Sequence, residues 1–145
     1  MEIYTIGFTK KRAEEFFGAL KAAGIARLVD VRLNNSSQLA GFTKRDDLAY
    51  FVREICAAQY VHEPRLAPTA EILDAYREDK NSWPEYERAF RALLEERKVA
   101  EALDPRHFEA RTVLLCSEPD PEHCHRRLVA EHLQEKWSAV RIIHL

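Results

Sequence analysis

Long apolar runs are missing from this sequence. No stretch approaches the ~20 consecutive apolar residues that a membrane-spanning helix needs, so no membrane partner is expected. A surplus of basic charge is missing too: 22 Lys and Arg stand against 24 Asp and Glu, for a formal net charge of -2. That balance disfavours a protein whose main task is gripping a phosphate backbone, although it leaves room for local basic pockets. Cysteine is scarce and odd in number, with Cys56, Cys116 and Cys124 in 145 residues. A chain of that length buries a core without staples, so a secreted disulfide framework is not expected and all three are read as thiols. Cys116 and Cys124 lie close in sequence, but spacing alone does not supply the Cα distance that a disulfide demands. The start, Met1 to Tyr4, has neither a positive leader nor an apolar signal core, and the expected location is the cytoplasm. Internal repeats, low-complexity segments and dividing linkers are absent, so residues 1–145 are read as one domain.

What is present is alternation. Short β-rich apolar runs at residues 3–6, 28–31, 59–62, 112–116 and 140–143 are separated by stretches with apolar residues at helical spacing. Ala13, Phe16, Phe17 and Leu20 mark the first helix, with Thr9 as its expected N-cap and Gly24 as its C′ residue. Leu48, Phe51, Val52 and Ile55 mark the second, after a polar loop over 32–41. Between 68 and 99 the pattern is helical and broken at Asn81 to Pro84; Leu128, Val129, His132 and Leu133 mark the last helix. Strands alternating with helices predict an α/β domain, a mostly parallel sheet with helices on both faces, Rossmann-like or rhodanese-like in layout.

In open sheets of this kind ligands collect beyond the carboxyl ends of the strands, so the residues after each run are the candidates. They are Gly7, Phe8 and Thr9; Arg32, Ser36 and Ser37; His62, Glu63 and Arg65; and Cys116, Ser117 and Glu118. The densest stretch runs from Cys116 to Arg127. It joins a buried strand to a helix whose N-terminus, expected near Glu122, offers free amides and a partial positive charge, and these lower a thiol's pKa and attract an anion. Arg126 adds a bidentate donor suited to carboxylate or phosphate.

The pattern Cys-x-Glu-x-x-Pro-x-x-Cys-His-Arg-x-Leu, Cys116 to Leu128, resembles the hallmark of the uncharacterised family numbered 488 among the domains of unknown function. Tyr4-Thr5-Ile6-Gly7, Val29-Asp30-Val31-Arg32, Phe42 with Lys44 and Leu48, Tyr60-Val61-His62 with Leu66, and Ile143-His144 fall in that family's order. The resemblance implies a compact α/β fold and a shared pocket, and no settled activity. Asn35 stands where the family often has proline, and Ala67-Pro68 where it often has glycines, so those loops are expected to differ.

Each candidate has a bland reading beside the chemical one. Cys116 ends an apolar strand and suits inert packing as well as reaction, while Cys124, four residues before Leu128, suits a core role. Asp30 within an apolar strand needs a partner, and Arg32 two positions on is its natural structural ion pair. His125 serves equally to hydrogen-bond the loop or to shuttle a proton. The Cys and His donors lack paired Cys-x-x-Cys spacing, so no metal is expected, and no cofactor. Trp83 and Trp137, if exposed, would mark a partner interface.

The leading expectation is an enzyme acting on a small anionic or nucleotide-like substrate. Cys116 or Glu118 does the chemistry, Arg32 and Arg126 hold the anion, and Gly7, Thr9, Asp30, Ser36, His62, Cys124 and His125 complete the site. Sulfur or acyl transfer through Cys116 is one variant, suggested by a layout similar to rhodanese-like domains, although the long Pro-containing loop departs from their tight cysteine loop. The alternative is a non-catalytic module that binds a nucleotide or a nucleic-acid end with the same arginines.

Overall fold

Strand β4 (Thr112–Cys116) is buried at every position, and this fixes it in the middle of the sheet. It is flanked by β2 (Arg27–Asp30) and β1 (Glu2–Gly7), with β3 (Gln59–His62) and β5 (Arg141–His144) at the edges, where burial is only partial. The resulting order is β3-β2-β4-β1-β5, and all four ladders are parallel. The computed structural model describes residues 1–36 and 41–145.

Two apolar cores lie on opposite faces of this sheet. Successive residues of a strand point to opposite sides, so Val113 and Leu115 pack with α1 (Ala13–Ala22) and α2 (Arg45–Cys56), through Phe16, Phe17, Leu20, Leu48 and Val52. Leu114 and Cys116 face the other core, built by α4 (Trp83–Glu96), α5 (Val99–Ala102) and α6 (His125–Lys136), with α3 (Ala70–Arg77) at its margin. The expected α/β layout with helices on both faces is therefore the observed one, and the sheet is wholly rather than mostly parallel. Among the described residues no helix is long and apolar enough to cross a membrane.

Local chemistry sets the helix ends. After α1, Gly24 takes φ +67 while its N–H and that of Ile25 reach back to Lys21 and Leu20, a Schellman ending that favours glycine. Ser82 caps α4 by accepting from the Glu85 N–H, with Pro84 in the first turn. Thr9 does not cap α1. A turn closed by Lys11 N–H on the Phe8 carbonyl, with Lys10 at φ 64, moves the helix start to Ala13 and leaves Arg12 at the N-cap. Nor does α6 start near Glu122: Cys124 is its N-cap and His125 its first residue. Both tryptophans are half-buried and make contacts within the chain. Trp83 stacks on Tyr86 and His123, and Trp137 packs against Phe108 and donates to the Ala100 carbonyl.

Parallel pairing brings the carboxyl ends of four strands level, with Gly7 opposite Cys116 and Asp30 opposite Leu115 and His62. From β1 the chain crosses one face, through α1, toward β2; from β4 it crosses the other face, through α6, toward β5. The ends of β1, β2 and β4 thus flank a topological switch point, where such sheets bind ligands. Gly7 permits the end of β1 to be capped closely: a Cβ built there would lie 1.6 Å from the Glu118 carbonyl oxygen. Gly7→Ala is expected to displace the loop after β4 and lower the urea midpoint. Gly18→Ala, on the exposed side of α1 with nothing within 4 Å of its Cβ, should raise stability by about 0.5–1 kcal/mol; equal effects of the two would contradict the close approach.

Candidate functional site

Cys116 is the last residue of β4 and is only 3% exposed. Its Sγ lies 3.3 Å from His125 Nδ1, in the first turn of α6. The other ring nitrogen, His125 Nε2, lies 2.7 Å from the Val31 carbonyl oxygen. A carbonyl only accepts, so Nε2 carries the hydrogen and Nδ1 is the unprotonated nitrogen nearer the sulfur, which lies 3.3 Å from Nδ1 and 3.8 Å from Nε2 and so stands over the ring. Phe90 packs edge-on against this imidazole and fixes its plane. Nucleophile, base and an orienting third group are thereby in contact, with the sulfur against the imidazole and the carbonyl on Nε2.

The electrostatics favour the charged sulfur. Burial pushes the Cys116 thiol up, but the Cys124 thiol donating to it, the Ser117 and Glu118 backbone N–H groups and the Arg126 charge together outweigh burial, and its pKa falls below the ordinary value. Cys124 moves the opposite way: burial, and then its hydrogen bond to Cys116, raise it, so the proton of the pair resides on Cys124. Arg126 is fully buried and no carboxylate pairs with it among the described residues. It donates through NH1 to the Glu118 carbonyl at 2.6 Å and through NH2 to the Pro119 carbonyl at 3.3 Å, while Nε has no partner. Arg126 therefore shapes the loop and supplies field to Cys116 instead of reaching into the pocket as an anion clamp.

Arg32, the other expected clamp, is mostly committed to Asp30. Its Nε and NH2 donate to the two carboxylate oxygens at 2.8 Å each, its N–H to Oδ1, and NH2 also to the Thr43 carbonyl. Tyr60 donates its hydroxyl to Asp30 Oδ2 at 2.5 Å, and burial, reinforced by that bond, raises the phenol's pKa so that it remains a donor. The Arg32 guanidinium sits 5.3 Å from the centre of the Phe8 ring. It nevertheless lines the pocket, and among the described residues NH1 makes no hydrogen bond.

The pocket has a volume of about 290 Å³. Cys116, Cys124 and His125 form part of its lining, Arg32 and Glu118 contribute charge, and Trp83, Tyr76 and Tyr86 form an aromatic wall. Within that wall Trp83 and Tyr86 stack at 5.0 Å, and Trp83 and His123 at 4.9 Å. Of the expected site residues, Cys116, Glu118, Arg32, Cys124 and His125 meet there. Gly7 and Arg126 support the loop from behind. Thr9 ties β1 to that loop through its N–H on the Ser117 carbonyl, and His62 Nε2 holds the Arg32 carbonyl at 3.0 Å. Asp30 is fully buried beneath Arg32. Ser36 is exposed and does not line the pocket, and Ser37 lies outside the described residues. The sequence marks Trp83 only as a candidate partner surface and Tyr60 only within the family pattern; the strand register, which sets Tyr60 opposite Leu28 and within reach of Asp30, is not written in one strand.

The donor atoms of Cys116, Cys124 and His125 lie within 4.8 Å of one another, enough for three positions of a tetrahedral metal. The Arg126 and Arg32 charges acting on the Cys116 sulfur oppose a divalent cation at that point.

Fold and site together define a three-layer α/β domain with a cysteine-floored pocket at the switch point of a parallel sheet. Residues 12–133 match the family model described as Domain of unknown function DUF488, and the chain belongs to that family. No curated protein and no solved structure matches it.

The buried Asp30–Arg32 pair generates a stability prediction. Arg32→Ala strands a carboxylate that is fully buried, and should cost about 3–5 kcal/mol in urea unfolding. Replacing both residues with apolar ones should restore much of that loss, whereas equal costs for the single and double variants would show that the pair is not coupled.

Proposed function

We propose that this domain is an enzyme that uses Cys116 as a nucleophile to transfer a sulfur or acyl group from a small anionic or nucleotide-like donor. The observation that carries the reading is the contact of Cys116 Sγ with the His125 imidazole, itself held by the Val31 carbonyl, beneath a pocket lined by Arg32. His125 Nδ1 takes the thiol proton. The sulfur then bonds to the donor's electrophilic atom, and the donor's leaving group departs with the bonding electron pair as an anion. An acceptor nucleophile next takes the group from Cys116 and regenerates the thiolate, and His125 returns its proton to whichever leaving atom needs it. Arg32 offers its guanidinium to the anion, the Trp83 and Tyr76 side of the pocket suits a planar or apolar moiety, and Glu118 at the rim meets the acceptor.

A second reading has its own observation. An aromatic wall beside an arginine also fits a module that holds a nucleotide without turnover, by stacking and charge. Salt-dependent binding of nucleotides or short oligonucleotides with an unreactive Cys116 would select it.

Alkylation by iodoacetamide separates the two. Because only the thiolate reacts, a lowered pKa keeps Cys116 reactive as pH falls below 9.0, whereas Cys56, raised chiefly by burial, loses its thiolate while pH is still above that value. Cys116 should therefore outrun Cys56 at neutral pH, slow in His125→Ala, and slow again when phosphate or sulfate fills the pocket. Alkylation of Cys116 no faster than that of Cys56 would remove the nucleophile reading.

A further inference from the structure

Cys124 forms no bond in the reaction just described beyond its hydrogen bond to the Cys116 sulfur, and its position is unusual for a structural residue. It occupies the N-cap of α6, where Ser, Thr, Asp or Asn ordinarily accepts a hydrogen bond from a first-turn amide. Here the N-cap side chain makes no such bond. Its thiol is 2% exposed, lines the same pocket as Cys116, and lies within 4.8 Å of the Cys116 sulfur. Resting on the reading of Cys116 as a nucleophile, we propose that Cys124 is its resolving thiol, so that a hydroperoxide entering the pocket converts the two into an intramolecular disulfide that a dithiol reverses.

The chemistry balances. The Cys116 thiolate attacks the outer oxygen of the hydroperoxide, the O–O bond breaks, and the departing oxygen leaves with the pair and is protonated to an alcohol or water. Cys116 is then a sulfenic acid. The Cys124 sulfur attacks it, the S–O bond breaks, and the hydroxyl leaves as water with the Cys124 proton. Two electrons have passed from the two thiols to the peroxide, and a dithiol returns them by exchange.

The surroundings fit such a step. The sulfurs must close to ~2.05 Å, and the segment that has to yield, 117–124, contains no helix or strand. Arg126 holds the Glu118 and Pro119 carbonyls and Arg127 the Glu122 carbonyl, at 3.2 and 3.0 Å, so the closing movement falls to the Cys116 and Cys124 side chains and to the backbone just before α6. Cys56 takes no part: it packs on the other face of the sheet, its sulfur 3.8 Å from the Phe17 carbonyl oxygen.

The test uses the full chain, reduced and then treated with stoichiometric hydrogen peroxide, followed by alkylation and non-reducing peptide mapping. The expected result is a linked Cys116–Cys124 peptide, loss of both alkylation sites with Cys56 still alkylated, and full recovery after dithiothreitol. Cys124→Ser should accumulate a dimedone-reactive sulfenic acid at Cys116 that advances to the sulfinic acid on further peroxide. Peroxide that takes wild-type Cys116 to the sulfinic acid while Cys124 stays free, after fast alkylation of reduced Cys116, overturns the pairing alone. Alkylation of reduced Cys116 no faster than that of Cys56 fails the nucleophile reading and this inference with it.

Discussion

A buried guanidinium that pairs with no carboxylate among the described residues governs this site. Arg126 has no exposed surface, and among the described residues its donors meet the carbonyls of Glu118 and Pro119. A cation in such a place is costly unless negative charge lies near it, and the Cys116 sulfur is where that charge can form. The contrast with Arg32 is instructive: Asp30 lies against it with two short contacts, so its charge is balanced locally. One arginine thus pairs directly with a carboxylate, and the other lowers the pKa of a neighbouring thiol. Both depend on a parallel sheet whose strand ends are level, and on Gly7, which lets the loop and the Arg126 guanidinium close over the end of β1.

Much of the fold was legible because its causes are local. The five strands fall within a residue or two of the apolar runs, and Gly24 and Ser82 end and begin helices as their chemistry requires. Thr9 failed as a cap because a turn at Lys10 intervenes, and a turn of that kind depends on the Ser117 contact from a distant strand. The strand order was not legible, since helical crossovers of similar length can lead to either neighbour.

At the site, the motif from Cys116 to Leu128 marked residues that line the pocket but left their directions unread. Arg126 looked like a ligand clamp because its type suits anions, yet the helical phase set by a start at His125 turns it inward and sends His125 to the sulfur. The Asp30–Arg32 pair was foreseen as a structural reading from their spacing on one strand face. Tyr60 was not, because it reaches Asp30 only through the parallel pairing of β2 with β3. Spacing within one element carries information; contacts between elements need the register.

The charge state of Cys116 is the central claim, and its own titration tests it most directly. Thiolate absorbance in the ultraviolet, measured against pH for the reduced protein, for Cys116→Ser and for Cys124→Ser, separates this group from the Cys124 thiol coupled to it. The account predicts a midpoint below 9.0, the ordinary value for a thiol, because the Cys124 thiol, two backbone amides and Arg126 outweigh burial. A midpoint above 9.0 would mean that burial wins, that Cys116 is a packed neutral thiol, and that the pocket has no nucleophile.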